Sequence, residues 1–525
     1  MRDFHLPGRS PVRATNGMVA TSHPLAAAEA LACLKDGGTA MDAAICGALL
    51  MSLCEPHMCG LAGDCFALIK PAGAERVLGF NGSGRAPAAA DAARLRAAGH
   101  GTIPDGSADA VTVPGAVEAF CRMSESHGRL GLDRLLQPAI RYAEEGVPVA
   151  DRVGFDWPNK APRLQGVARD FYLRDGRPLK PGDLFRAPGQ AEVMRRIARH
   201  GASAFYQGEV AEDMLAALAA AGGRHCAGDF AATRGEETTP ITGQYRATEV
   251  FEHPPNGQGA TAILLLNILA RFDLASMDPF GAARTHLESE AGKLAYDSRN
   301  RLIADPDVLD ATAQMCSPAL AAELAARIDP GRALPGPSRI AESVHRDTIY
   351  ITAVDRDGMA VSLIHSIFHS FGSGLASPKF GLLLHNRGCG FNLREGHPNE
   401  FGPGKRPLHT IIPGMLGAAG RIEMPFGVMG GQYQSCGHAR FVTNLRDYGM
   451  DLQTAVDAPR AFFDDGRLQL ERGYSPEVAA KLAALGHDVV TPTEPIGGAQ
   501  AIRMHASGVL EGASDARKDG CAIGY

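Results

Sequence analysis

Thr348 is the residue best placed to do chemistry. It heads the run Ile349 to Val354, where apolar and mixed residues alternate. Asp355-Arg356-Asp357-Gly358 then supplies turn chemistry and Met359 to Ile367 resumes the pattern, so the stretch predicts a β-hairpin. A threonine there is ordinarily a β-branched strand former. A hydroxyl becomes a useful nucleophile only when a base takes its proton, and a threonine at a chain terminus carries that base as its own α-amine. Such an amine titrates at about 7.7–8.0, so part of it is neutral at physiological pH. Thr348 lies well along the chain and several glycine-rich signatures follow it, a layout that fits a precursor cutting itself between Asp347 and Thr348. An oxyanion needs preorganised donors, and the adjacent amides of Gly430-Gly431 in VMGGQ could approach a substrate unobstructed; a glycine pair is otherwise a turn.

Other candidate chemistries are weaker. Cys54, His57 and Cys59 lie close together, but no second pair stands at zinc spacing and no HExxH helix appears, so no metal site is expected. The turn Gly257-Gln258-Gly259 lacks the form of a phosphate-binding loop, and no cofactor is expected. Gly60 and Gly63 read as backbone packing.

The elements that must position these residues follow from pattern. Ser22 before Pro24 predicts a helix start, with the run ending at Gly37-Gly38, and Thr39 predicts a second cap for a helix ending at Glu55-Pro56. Both helices read as apolar nearly all round, as for helices clamped between layers. Short strands are expected at Phe66–Lys70 and Arg76–Phe80. Helices are expected at Gly115–Glu125, Leu132–Glu145 and Ala191–His200, then a strand at Gly243–Phe251 and helices at Ala260–Ala270 and, amphipathic, Thr285–Asn300. Beyond the hairpin, strand-like pieces read at Gly381–His385, Gly414–Leu416 and Gly427–Met429. Helices follow near His438–Tyr448, Thr454–Ala458 and Pro476–Leu485, and a closing strand pair at Gln500–His505 and Val509–Ser514. Periodicity alone gives the class α+β.

The chain has 525 residues, 45% of them hydrophobic, with no linker and no repeat of fixed period, which predicts one large domain. A net charge of -6 gives no basic stripe for nucleic acid or an anionic membrane. The longest apolar run, Ile45 to Cys54, is well short of the about 18 residues of a membrane span, and no secretory signal opens the chain, so a cytoplasmic location is expected. Eleven cysteines without paired spacing predict reduced thiols.

Taken in order, GMVATSHPLAAAEALACLKDGGTAMDAAICGALLMSLCEPHMCGLAGDCF, VTVPGAVEAF, LLQPAIRYAEEGVPV, HPPNGQGATAILLLNIL, the strand at Thr348, SFGSG, GKRPLHTIIP, VMGGQYQS and GASDARKDGCAIGY resemble the γ-glutamyltranspeptidase family of N-terminal-nucleophile hydrolases. The resemblance implies a four-layer αββα sandwich and self-cleavage into a large fragment 1–347 and a small fragment 348–525 that stay together as a heterodimer, with further dimerisation left open. It implies Thr348 as nucleophile in both self-cleavage and hydrolysis, Ser366 as the hydroxyl that hydrogen-bonds the new amine, and Gly430-Gly431 as the oxyanion donors.

The chain also departs from the family. Positions that in classical γ-glutamyl enzymes grip the amino-acid head of glutamate hold Ser83, Gly390, His409-Thr410 and Phe368, so the clamp for a substrate ammonium is missing. Arg387 stands where the family has a glutamine, and Arg85 two residues from a lost arginine. Arg387, Arg85, His409 and Thr410 are therefore the candidates for holding a small anionic substrate. HNRGCGF, FGVMGG and ARKDGCA resemble a subgroup that includes oxamate amidohydrolase, which implies cleavage of oxamate to oxalate and ammonia. A γ-glutamyl hydrolase or transpeptidase acting on glutathione, a cephalosporin-type acylase, and an unprocessed binding protein stay open. The last draws on Ile349 and Tyr350, which replace the polar pair that usually follows the nucleophile.

Overall fold

Alternation in Ile349–Val354 places Ile349, Ile351 and Ala353 on one face and Tyr350 and Val354 on the other, and both faces are buried. A strand covered on both sides belongs inside a sheet that is itself packed between two layers. In the computed structural model, which describes residues 5, 8–335 and 348–525, this strand pairs antiparallel with Ala360–Ser366, from Ile349↔His365 to Val354↔Ala360. Its other edge pairs with Met18–Thr21. The pair sits near the middle of a seven-stranded sheet, in the order Cys521–Gly524, Met18–Thr21, Ile349–Val354, Ala360–Ser366, Asp64–Lys70, Leu78–Gly82 and Glu236–Thr238.

A second seven-stranded antiparallel sheet lies against it, in the order Val12–Ala14, Leu510–Ser514, Gly498–Met504, Arg421–Met429, Gly414–Ala418, Thr248–Glu252 and Ile241–Tyr245. Phe66, Tyr350, Ile364, Ile411 and Met429 fill part of the space between the two. The sheets meet closely: a Cβ on Gly427 would lie 2.3 Å from the Tyr350 ring, so only glycine fits there. On the outer side of the first sheet, Ile349, Ile351, Val361 and Leu363 pack against the helices Pro24–Lys35, Ala40–Cys54, Ala116–His127 and Leu132–Glu145. On the outer side of the second, Leu416, Met424, Phe426 and Val428 pack with Gly259–Leu269, Ala282–Leu302 and Gln434–Arg446. The result is the four-layer αββα sandwich of the α+β class. Each fully buried Ile, Leu or Phe in these layers contributes about 1.5–3 kcal/mol, which makes the hairpin one of the most firmly held parts of the chain.

The local signals work where they are self-contained. Thr39 and Asp42 form a reciprocal capping box at the start of Ala40–Cys54, and every residue of that helix is buried. Five expectations are corrected. The cap of the first helix is His23, whose Nδ1 accepts from the Leu25 amide, and not Ser22. That helix is not clamped between layers on every side, for Ala28 and Lys35 are exposed. The strand expected at Arg76–Phe80 runs Leu78–Gly82. Gly243–Phe251 is two strands, Ile241–Tyr245 and Thr248–Glu252, joined through Arg246 at φ 54°; a tight turn without glycine or asparagine leaves no sequence mark. Gly381–His385 forms only an isolated bridge, Ala376↔Leu383, because its backbone bonds are spent on neighbouring loops, as in Leu384 to Leu375.

Candidate active site

Continuing the hairpin register one step beyond Ile349↔His365 brings Thr348 opposite Ser366, both fully buried. The Thr348 hydroxyl donates to Ser366 Oγ at 3.4 Å, and Gln434 Nε2 approaches Thr348 Oγ1 at 3.5 Å. Gln434 is itself fixed, since its Oε1 accepts from the Ile412 amide at 2.9 Å. Gly430 and Gly431 follow the strand Arg421–Met429 and open the turn that leads into Gln434–Arg446. Their φ angles, 126° and 56°, lie in the region that side-chain-bearing residues avoid. Asp347 lies outside the described residues.

Ser366 also ties the hairpin to a second region. Its Oγ accepts from the Phe368 amide at 2.9 Å, and Phe368 takes φ 75°, a costly conformation for a bulky residue. The Arg387 guanidinium lies over the Phe368 ring, 4.4 Å from its centroid. Arg387 is fully buried; its Nη1 donates to Thr410 Oγ1 at 3.2 Å and its Nε stands 3.5 Å from Asp64 Oδ2. Nη2 has no hydrogen-bond partner among the described residues. Burial lowers its pKa to about 10 while Asp64 opposes the change, so the group is charged at neutral pH.

Asp64 is the hub of this region. Its Oδ2 lies 3.0 Å from His385 Nδ1 and 3.3 Å from His409 Nε2, and its Oδ1 accepts from the Gly84 amide at 3.1 Å. Burial alone would raise its pKa, but the two histidines outweigh that and hold the carboxyl well below its usual range. His409 is pushed down to about 3, by burial first and by the Arg387 charge second, and stays neutral. Arg85 is occupied elsewhere: its guanidinium meets Asp305, Asp307 and Glu236 at 3.1–3.4 Å, on the wall of an open cleft that also includes Ser83, Arg234 and Gly404. The structure thus brings together Thr348, Ser366, Arg387, Thr410 and His409 and sets Arg85 apart.

Asp64, Gln258, His385 and Gln434 escaped the sequence reading. The one mark they carry is a polar side chain inside glycine-rich or apolar surroundings, as in LAGDCF and NGQGAT. The cysteine group considered for zinc has other partners. His57 Nε2 stands 3.4 Å from Asp156 Oδ2, and burial pushes the Cys54 and Cys59 thiols well up. His286, Glu290 and His487 converge elsewhere, but Glu290 already accepts from Lys293 Nζ and the Leu334 amide, both at 2.7 Å, so a cation would have to displace an ammonium.

Comparison with known proteins bears on this geometry. The family profile described as Gamma-glutamyltranspeptidase matches residues 26–525. The oxamate amidohydrolase proenzyme of Klebsiella pneumoniae is 36% identical, covering 97% of this chain and 99% of its own. The glutathione hydrolase-like YwrD proenzyme of Bacillus subtilis is 34% identical, covering 97% and 98%. The crystal structure of cephalosporin acylase from Bacillus halodurans superimposes with a TM-score of 0.92 at 35% identity, covering 100% of this chain and 99% of that one. The chain belongs to the γ-glutamyltranspeptidase family and is an amidohydrolase with the N-terminal-nucleophile fold.

Proposed function

We propose that the chain is a self-processing hydrolase of small anionic amides, oxamate first among them, with Thr348 as nucleophile and Arg387 as the anion-binding group. The carrying observation is Arg387: a charged, fully buried guanidinium, stacked on Phe368 beside the Thr348–Ser366 pair, with Nη2 unpartnered among the described residues. A buried donor of that kind is costly to leave unmet, and a carboxylate would satisfy it through charge-assisted bonds. The 36% identity to the oxamate amidohydrolase proenzyme supports the same class of substrate.

Gly390 supports the loss of a substrate-ammonium site. A Cβ there would lie 2.3 Å from the Leu408 carbonyl oxygen, so the aspartate found at this place in classical relatives has no room. In the proposed reaction, cleavage of the Asp347–Thr348 bond frees the α-amine, which takes the proton from Thr348 Oγ1 as that oxygen attacks the amide carbon. The Gly430 and Gly431 amides receive the oxyanion. Its collapse expels ammonia, which leaves with the proton from the amine, and water then hydrolyses the Thr348 ester. Hydrolysis prevails over transfer because Ser83, Gly390 and Phe368 stand in place of the side chains that would hold a γ-glutamyl ester for an acceptor.

The test is ammonia release from oxamate by the processed enzyme, beside glutathione hydrolysis with and without glycylglycine. Turnover of oxamate is expected. No turnover of oxamate, with glutathione hydrolysed and accelerated by the dipeptide, overturns the substrate assignment.

A further inference from the structure

Gln258, at the start of the helix Gly259–Leu269, is fully buried and chemically saturated. Its Nε2 donates to the Thr410 carbonyl at 2.6 Å and to the Gly431 carbonyl at 3.2 Å, and its Oε1 accepts from Arg299 Nη1 at 2.8 Å. The same arginine nitrogen donates to Gln432 Oε1 at 2.5 Å. The orientation of the amide follows from its partners alone, because a guanidinium only donates and a carbonyl only accepts.

We propose that Gln258 is the positioning residue of the oxyanion turn, locking Gly431 to the segment of Thr410. This rests on the assignment of Thr348 as nucleophile and of Gly430-Gly431 as oxyanion donors. The argument starts from the cost of glycine. Two consecutive glycines give open access to a substrate, but glycine is also the least conformationally restricted residue, and preorganisation requires that freedom to be removed. The turn's own bonds are Tyr433 N–H to the Gly430 carbonyl and Gln434 N–H to the Gly431 carbonyl. From outside the turn, the Tyr296 hydroxyl donates to the Gln432 carbonyl and Arg299 to the Gln432 side chain, and Gln258 adds the bond to Gly431 itself. Its other hydrogen reaches Thr410, whose hydroxyl accepts from Arg387. One carboxamide, on the proposed large fragment, therefore fixes two pieces of the small one: the turn that receives the oxyanion and the residue beside the anion-binding guanidinium. Arg299, itself fully buried, polarises the carboxamide and strengthens both donors.

A glutamate of the same shape would turn an oxygen toward two carbonyl oxygens, so Gln258→Glu is the sharp variant, and Gln258→Leu removes both donors without adding a charge. Hydrogen exchange read by mass spectrometry is expected to speed up at least about tenfold in both for residues 430–434, with the strand Ile349–Val354 unchanged as the check on folding. For oxamate turnover by processed enzyme, kcat is expected to fall about 10- to 100-fold, with a smaller change in KM. Unchanged exchange at 430–434, or faster exchange with unchanged kcat, overturns the proposal. Thr348→Ala, run in parallel, tests the reading beneath it: turnover that survives there removes Thr348 as nucleophile, while the exchange result still decides whether Gln258 holds the turn.

Discussion

The hairpin and the loop region from Phe368 to Ile412 meet at the same site but are built in different ways. Thr348 and Ser366 are set by a ladder of backbone bonds in a buried sheet, so their positions depend little on any side chain other than the apolar ones that bury the strands. Arg387 sits on a single 3₁₀ turn, Arg387–Gly390, and is set by side chains: Phe368 beneath it, Thr410 and Asp64 beside it, and two histidines on that carboxylate. One region has a scaffold independent of its chemistry. In the other, the proposed anion-binding group is held by the same side chains that hold the loops, so recognition and stability should be coupled there.

The difference predicts how the two regions break. Thr348→Ala should abolish turnover, by about 10⁴-fold or more, and leave a single uncleaved chain, while its thermal midpoint stays within a few degrees of the wild type. Steady-state rates, a denaturing gel and a melting curve check this. A variant as inactive but grossly unstable would contradict a scaffold that stands apart from its nucleophile.

Arg387→Met should behave in the opposite way. Loss of a buried charged contact to the substrate should cost about 2–5 kcal/mol in kcat/KM. Asp64 loses a partner as well, so stability should fall too, by about 1–3 kcal/mol. Urea unfolding beside oxamate kinetics on the self-cleaved variant tests both; an inactive variant of full stability would separate recognition from scaffold.

A further expected effect, on stability and not on turnover, is shared by the two regions. His365 on the hairpin's second strand, with its pKa lowered to about 4 by burial, and His409 in the loop region, lowered to about 3, are neutral in the folded chain. Both have folded pKa values below the unfolded value of about 6.5. Below pH 6.5 the unfolded chain takes up protons that the folded chain refuses. Stability is thus fully present above about pH 6.5 and declines toward pH 4, by about 3 kcal/mol for His365 at its full shift. Urea midpoints between pH 7.5 and 4.5 should fall with acid, and His365→Gln should flatten the fall.

The same contrast explains what could be read from the sequence. The Thr39 cap, the helix Leu132–Glu145 and the hairpin at Ile349 each depend on residues a few positions apart, and each is found where it was expected. Thr348 was legible as the head of such an element, whereas Ser366 and the roles of Thr348 and the glycine pair came from the resemblance to the family. The loop network was not legible, because Asp64, Gln258, His385 and Gln434 act on partners 20 to 345 positions away, as in Asp64 with Gly84 and with His409. Nor could sequence show that Arg85 would be spent on three acids, two of them more than 200 residues distant. The cap at His23 failed for a smaller reason: serine is the commoner capping residue, and here the imidazole one position later takes the bond.

The central claim is that Thr348 becomes a chain terminus, and the mass of the purified wild-type protein tests it most directly. Two fragments are expected, 1–347 and 348–525, with threonine as the first residue of the smaller by N-terminal sequencing. A chain that hydrolyses its substrate while remaining intact would contradict the account, since the α-amine that activates Thr348 would never have been released.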